Sequence, residues 1–360
     1  MNISVIGAGN CGQAMTAHLI SLGYKVKLYD INSEAINLIN KNGIVSKGVI
    51  EGTFQPEIAT TNIEKTLHNA DVILIAVPAS SHKSLAEDCA PHLQNNQIII
   101  LNPGRTFGAL EFLSTVKKTR DIDITIAETQ TALYTARRFD TNKVEIITLK
   151  QQVSIASIPA ENINSVIEIF RNIYPQFVAA PDTLTTSFNN IGALLHPVPT
   201  LLNIGWIEKE GVFFKYYYDS ISPTIAKFLE KVDAERVNIA RKLGVNAVSL
   251  KDWMCSSYDI KASSLYEAFQ KNVYYKTIDA PKTINHRYIF EDVPTGLVPL
   301  ESTGLKLGLP VNNIKLVIDQ ASALLDYDFR ANGRTFKNLG METIKLDDLK
   351  SIIVTGVFND

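Results

Sequence analysis

Over the first half of the chain, short runs of aliphatic and β-branched residues alternate with amphipathic stretches. Ile3–Ile6, Val26–Tyr29, Val72–Val77, Gln97–Leu101 and Ile122–Ile126 are too short for helices and nearly unbroken by polar residues. The segments between the earlier runs carry apolar positions at helical spacing. Strands buried on both faces read this way, so the alternation predicts a doubly wound parallel sheet covered by helices. Val144–Leu149 and Val153–Ile158 follow with no long helix between them, and are expected to extend that sheet as an antiparallel pair.

After Tyr174-Pro175 the period lengthens to that of helices. Ser222 stands as N-cap before Pro223, and Ile225, Phe228, Leu229, Val232, Ile239 and Leu243 form one face that stops at Gly244. A second helix is expected over Asn312–Leu325, and a weaker one near Leu346–Ile352. A chain of 360 residues exceeds one ordinary core, and two domains imply a cleft. Pro181-Asp182-Thr183 is the expected hinge, which gives an α/β Rossmann-type domain over 1–182 and an all-α domain over 183–360. No internal repeat or low-complexity tract interrupts either part.

The chemistry enters at Gly7-Ala8-Gly9-Asn10-Cys11-Gly12. This G-x-G-x-x-G follows the first strand and opens a helix. Gly7 permits the tight turn, Gly9 lets backbone approach a pyrophosphate, and Gly12 lets helix pack on strand, with the free amides of the helix start facing the anion. Asp30 closes the second strand on the order of 20 residues further on, where a carboxylate accepts hydrogen bonds from ribose hydroxyls. Such a carboxylate repels a 2′-phosphate, and Ile31-Asn32-Ser33 supplies no arginine to hold one, so NAD is favoured over NADP. The bland alternative is an ordinary strand-to-helix turn with Asp30 as a cap. Val77-Pro78 and Asn102-Pro103-Gly104-Arg105 lie just past strand ends, where they are expected to line the nicotinamide side or else simply to end strands.

Hydride transfer to a carbonyl or imine needs a proton donor, and histidine suits that work at neutral pH. His18, His68, His82 and His92 fall in or beside helices of the first domain, with surface roles expected. His196 lies in Asn189-Asn190-Ile191-Gly192-Ala193-Leu194-Leu195-His196-Pro197, where the prolines break a regular helix and are expected to push His196 from α geometry. It reads equally as a half-buried histidine satisfying a helix end. His286-Arg287-Tyr288-Ile289-Phe290-Glu291-Asp292 sets an arginine, suited to bidentate capture of a carboxylate, beside two acids; exposed ion pairs in a loop are the alternative. The residues alone leave both segments open.

Bulk properties narrow the partners. The formal net charge is −2, which gives no bias toward nucleic acid or an acidic membrane. Cys11, Cys89 and Cys255 have no zinc-ligand spacing, and with no leader or spanning segment a cytoplasmic setting is expected and no metal. The segment after Arg330 reads equally as surface or as a contact for another subunit, so a homodimer is compatible with it.

With these segments together, the chain resembles the opine dehydrogenases, the NAD/NADP octopine and nopaline dehydrogenase group, over nearly its whole length. The resemblance rests on the glycine motif, Leu101-Asn102-Pro103-Gly104 with Gly108-Ala109-Leu110-Glu111-Phe112, Glu128-Thr129, the Asn190 to His196-Pro197 segment, and Arg287-Tyr288 through Glu291-Asp292-Val293-Pro294. It implies reductive condensation of a 2-oxo acid such as pyruvate with the amino group of an amino acid. It implies His196 as acid/base, Asp292 as its partner and Arg287 as a carboxylate binder. Asn189, Asn190, Asn203, Glu128 and Thr131 are weaker candidates for the pocket. The chain departs from the family at Arg105-Thr106-Phe107, where a small, glycine-rich continuation is usual. Two other readings stand beside this one: a 2-oxo acid reductase of the ketopantoate reductase type, whose principal acid is a lysine, and a non-catalytic NAD-binding protein.

Overall fold

The structure, a computed structural model, describes residues Met1–Phe358. It divides into two compact units. One comprises Met1–Ser187 and the chain from Thr343 onward, the other Phe188–Glu342.

The first unit is built on an eight-stranded sheet. Its strands are β1 (Ile3–Ile6), β2 (Val26–Tyr29), β5 (Ile58–Thr60), β6 (Val72–Ile75), β7 (Ile98–Leu101), β8 (Thr125–Thr129), β11 (Val153–Ile158) and β12 (Phe177–Ala179), in the order β12-β11-β8-β7-β6-β1-β2-β5. β1 pairs in parallel with β2 on one side and β6 on the other, Ile3 facing Val26 and Val72. The order therefore reverses at β1, the point where open α/β sheets bind ligands beyond their carboxyl ends. β1 and β6 are buried at every position, which explains their unbroken apolar character.

The two late apolar runs do not pair with each other. β10 (Lys143–Leu149) belongs to a second, four-stranded sheet with β3 (Ile44–Gly48), β4 (Gly52–Phe54) and β9 (Tyr134–Asp140), while β11 alone joins the main sheet, antiparallel to β8. The tight turn after Asp140 folds β10 back on β9, and β3 occupies its other edge in parallel. With both its edges filled, β10 has no edge left for β11.

In the helical unit, Pro223–Leu243 begins with the Ser222 hydroxyl accepting from the Ile225 amide at 3.2 Å and ends at Gly244 with φ of 84°. Asn312–Leu325 forms as expected, with the Glu235 carboxylate accepting the Asn313 and Ile314 amides at its first turn, both at 2.9 Å.

Two features of the division differ from the expected 1–182 and 183–360. Pro181-Asp182-Thr183 is not where the units part: Asp182 caps the helix Thr183–Phe188, its Oδ1 2.8 Å from the Thr185 amide, and the boundary falls at Ser187. The chain from Thr343 also returns to the first unit. Its helix Leu346–Thr355 buries Leu349, Ile352 and Ile353 and packs against β11. That apolar face needs a partner, and the sheet flank supplies it.

Candidate active site

The glycine motif has the geometry its spacing requires. Gly7 has φ of 103°, and a Cβ there would lie 2.9 Å from a Val77 methyl. A Cβ on Gly12 would lie 1.7 Å from the Gly7 carbonyl oxygen, so only glycine permits this approach of helix to turn. On Gly9 it would meet nothing within 4 Å. The helix Asn10–Ser21 has no side-chain cap at its start and no acid in its first turn. An open turn leading to uncapped amides fits the pyrophosphate of a dinucleotide.

Asp30, at the end of β2, binds this turn. Its Oδ2 accepts the Ala8 amide at 2.5 Å and its Oδ1 the Asn32 amide at 2.9 Å. The second sheet adds a residue the sequence reading missed. Arg138 on β9 donates its amide to Asn10 Oδ1 at 3.2 Å and a guanidinium N–H to the Ala8 carbonyl at 3.3 Å. No local signal marks it, because strand pairing far along the chain brings it there.

Several residues expected to contact ligands take part in internal hydrogen bonds. Asn102 is 3% exposed; its Oδ1 accepts the Thr129 hydroxyl at 2.9 Å and the Leu133 amide at 3.2 Å, and its amide points at the Cys11 sulfur, 3.6 Å away. Gly104 is where a Cβ would strike Glu128 at 2.5 Å. Glu128, expected against a substrate, is fully buried. Its carboxylate accepts the Thr186 hydroxyl at 2.6 Å, the Ser187 hydroxyl at 3.0 Å and the Ala109 amide at 2.8 Å. A carboxylate so engaged holds the chain before the unit boundary. Val77 supports the glycine turn, and Pro78 is exposed beside it.

In the helical unit His196 and Asp292 meet. His196 Nδ1 lies 2.7 Å from Asp292 Oδ2; the histidine is 19% exposed and the aspartate wholly buried. A buried carboxylate on Nδ1 orients the ring and leaves Nε2 for chemistry. Tyr288 stacks on the ring at 4.2 Å between centroids and 9° between planes. The Tyr216 hydroxyl donates to the His196 carbonyl at 2.6 Å, and burial pushes that phenol well above its ordinary range, keeping it neutral. His196 stays in the α region, φ −99° and ψ −56°, contrary to expectation. Pro197 splits the helix only in the sense of opening the next, Pro197–Leu202, at the position where its missing N–H costs nothing.

Arg287 hydrogen-bonds the buried Glu291 through Nε at 2.9 Å and Nη2 at 2.6 Å, while 57% of its side chain faces solvent. His286 caps the same short helix, and burial and the neighbouring Arg287 lower its pKa. Asn189 Oδ1 accepts the Val248 amide at 3.1 Å and the Asn203 amide donates to the Pro199 carbonyl at 2.8 Å, so both brace helices. One histidine expected at the surface is not there: His82 is fully buried. His18 is half-buried and bonds the Tyr134 hydroxyl at 2.9 Å, with its pKa lowered by burial.

The family of octopine/nopaline dehydrogenase alpha-helical domains matches residues 179–325, and that of the NAD-dependent glycerol-3-phosphate dehydrogenase N-terminus matches residues 2–121. An opine dehydrogenase of Arthrobacter sp. (strain 1C) is 39% identical over 97% of this chain and 98% of its own length. This chain belongs to the opine dehydrogenase family. As such it is an NAD(P)-dependent oxidoreductase acting on CH–NH donors. The protein ocs of Agrobacterium tumefaciens (strain Ach5) is 24% identical, covering 94% of this chain and 95% of its own. A solved octopine dehydrogenase with NADH and L-arginine shares the fold, with a TM-score of 0.83 at 18% identity over 100% of this chain and 99% of that one. Among the described residues of this opine dehydrogenase family member, no cluster could hold a metal ion, and no helix is long and apolar enough to cross a membrane.

Proposed function

We propose that this protein condenses a 2-oxo acid such as pyruvate with the amino group of an amino acid and reduces the resulting imine, with NADH as the cofactor. The observation that carries the reading is the His196–Asp292 pair, 2.7 Å apart in a chain of this family. Cys11, Cys89 and Cys255 form no disulfide, which suits a cytoplasmic setting.

Gly7, Gly9, Asn10, Cys11 and Gly12 would hold the pyrophosphate, with Asp30 toward the ribose. A bound nicotinamide dinucleotide supplies the hydride. Attack of the amine on the oxo acid carbonyl makes an oxygen that must leave as water, and His196 Nε2 delivers the proton it needs. Asp292 keeps Nδ1–H engaged, so the proton moves only at the opposite nitrogen. Arg287 gives its inner edge to Glu291 and offers its outer edge to a substrate carboxylate, which turns C2 toward reduction.

The test follows NADH absorbance with 2-oxo acids in the presence and absence of mixed amino acids. Oxidation that requires both components is expected; oxidation with oxo acid alone would assign a hydroxy acid dehydrogenase instead. The carboxylate of Asp30 disfavours a 2′-phosphate, so NADH should bind more tightly than NADPH. Asp30→Ala should weaken NADH by roughly tenfold, the value of one charge-assisted hydrogen bond, and narrow the gap between the two cofactors. A fluorescence titration showing unchanged affinities would remove Asp30 from the cofactor site.

A further inference from the structure

We propose that Arg138, delivered by the second sheet, is the cation that holds the pyrophosphate of the dinucleotide at the glycine turn. The role depends on that turn being the pyrophosphate site, and holds whichever substrate the cofactor reduces. β9 lies along the helix Asn10–Ser21, with the Tyr134 hydroxyl 2.9 Å from His18 Nδ1 at one end and the Arg138 amide 3.2 Å from Asn10 Oδ1 at the other. Four residues of strand, about 13 Å, match eight residues of helix, about 12 Å. Tyr134, Ala136 and Arg138 share one face of the strand, and Ala136 and Arg138 stand opposite the buried Ile146 and Val144. The strand therefore brings Arg138 to the start of the helix. Just beyond it the pairing slips, Val144 facing Arg138 but Lys143 facing Asp140, and such a bulge re-aims the side chains beside it.

At the turn Arg138 brackets Gly9. Its amide meets Asn10 on one side and its guanidinium meets the Ala8 carbonyl on the other, at 3.3 Å, while nothing lies within 4 Å of where a Gly9 Cβ would be. The Ala8 carbonyl already accepts Gln13 Nε2 at 2.9 Å, and the same amide ties the turn to the Thr141 carbonyl at 2.7 Å. Bracing the turn therefore does not need the arginine, whose longer bond uses only one of its donors. The acids near by are committed elsewhere. Asp140 accepts from Lys143 at 2.9 Å and from the Thr141 amide at 2.8 Å, and Asp30 from the Ala8 and Asn32 amides. Among the described residues Arg138 forms no ion pair, and it is exposed.

A cation suits this place only when an anion joins it. The helix Asn10–Ser21 presents the positive end of its dipole there, with no acid in its first turn. Phosphate oxygens lying between the helix amides and the guanidinium satisfy both, and the planar fork of arginine matches two such oxygens at once. A 2′-phosphate is the other anion a nicotinamide dinucleotide can carry; it would lie with the ribose at Asp30, whose carboxylate repels it.

The experiment titrates the full chain by calorimetry with NADH, NADPH and ADP-ribose, the last of which carries the pyrophosphate without the nicotinamide. Arg138→Met should weaken all three by about tenfold, and Arg138→Lys, which keeps the charge but not the fork, by about threefold. Raising salt from about 0.05 M to about 0.5 M should weaken wild-type NADH binding by about fivefold and that of Arg138→Met by about twofold. A loss confined to NADPH would assign Arg138 to a 2′-phosphate. A loss with unaltered salt dependence, which Arg138→Lys does not lessen, would make it a brace of the turn, and unchanged affinities in Arg138→Met would leave it no cofactor role. Each of these three results overturns the proposal. Gly9→Val adds bulk where the fold has room for a Cβ. Loss of ADP-ribose in Gly9→Val beside normal binding in Arg138→Met removes the arginine's role alone. Normal ADP-ribose binding in Gly9→Val removes the turn as the pyrophosphate site, and this role with it.

Discussion

Replacing His196 with alanine should lower kcat by about a hundredfold or more, the usual worth of a positioned acid, while leaving NADH affinity unchanged. The expectation follows from how the ring is held. Asp292 is wholly buried and sits 2.7 Å from Nδ1, and Tyr288 lies flat against the imidazole at 4.2 Å. With one nitrogen committed and one face covered, Nε2 has a defined direction, which a proton donor needs. Asp292→Asn should lower kcat as well, because its amide puts a donor or an oriented dipole where the ring needs an anion. The glycine motif belongs to the other unit, so the NADH titration reports on that unit, and a calorimetric melt checks that the helical unit of each variant is folded. A rate near that of the wild type in His196→Ala would dismiss the acid/base assignment.

The largest stability effect should come from Arg236, which is fully buried in the helix Pro223–Leu243. Its guanidinium donates to Asp233 Oδ1 through Nε at 2.9 Å and Nη2 at 2.6 Å, to the Val248 carbonyl at 2.6 Å, and to the Phe188 carbonyl. Asp233 Oδ2 in turn accepts the Leu250 amide at 2.6 Å. One side chain thus ties two segment ends, at Phe188 and Val248, to the middle of that helix. Arg236→Met keeps much of the volume but strands a buried carboxylate and two carbonyls. Removing one member of a buried ion pair costs about 3–5 kcal/mol, so the unit's melting temperature should drop by about 10 °C. Replacing Asp233 and Arg236 together by apolar residues should cost less than Arg236→Met alone, since no lone charge remains. A calorimetric scan in which Arg236→Met melts with the wild type would show that the network contributes nothing.

What could be read along the chain is what a few neighbouring residues control. The strand-turn-helix context of Gly7, Gly9 and Gly12 is local sterics: Gly7 and Gly12 have close approaches that a side chain would break, and the space at Gly9 is open. Ser222, Pro223 and Gly244 bound their helix because capping and left-handed termination are decided within one turn. Apolar period separated sheet from helix for the same reason.

Placement of partners is another matter. His196 and Asp292 are 96 residues apart, and only the packing of the helical unit brings them to 2.7 Å. Residue type and position suggested ligand roles for Glu128 and Asn102, yet the structure buries both and fills their acceptors from neighbouring segments. β10 reads locally like a continuation of the main sheet, and the vacant edge of β3 takes it elsewhere. Arg138 and the returning helix Leu346–Thr355 carry no signal of their destination. The sequence by itself thus determined the elements, the dinucleotide turn and the residue types able to do the chemistry, because propensity, capping and glycine sterics act between near neighbours. Tertiary structure alone decided which of those side chains face one another and which are sealed away, because hydrogen-bond partners and burial depend on edges and faces that only long-range packing brings together.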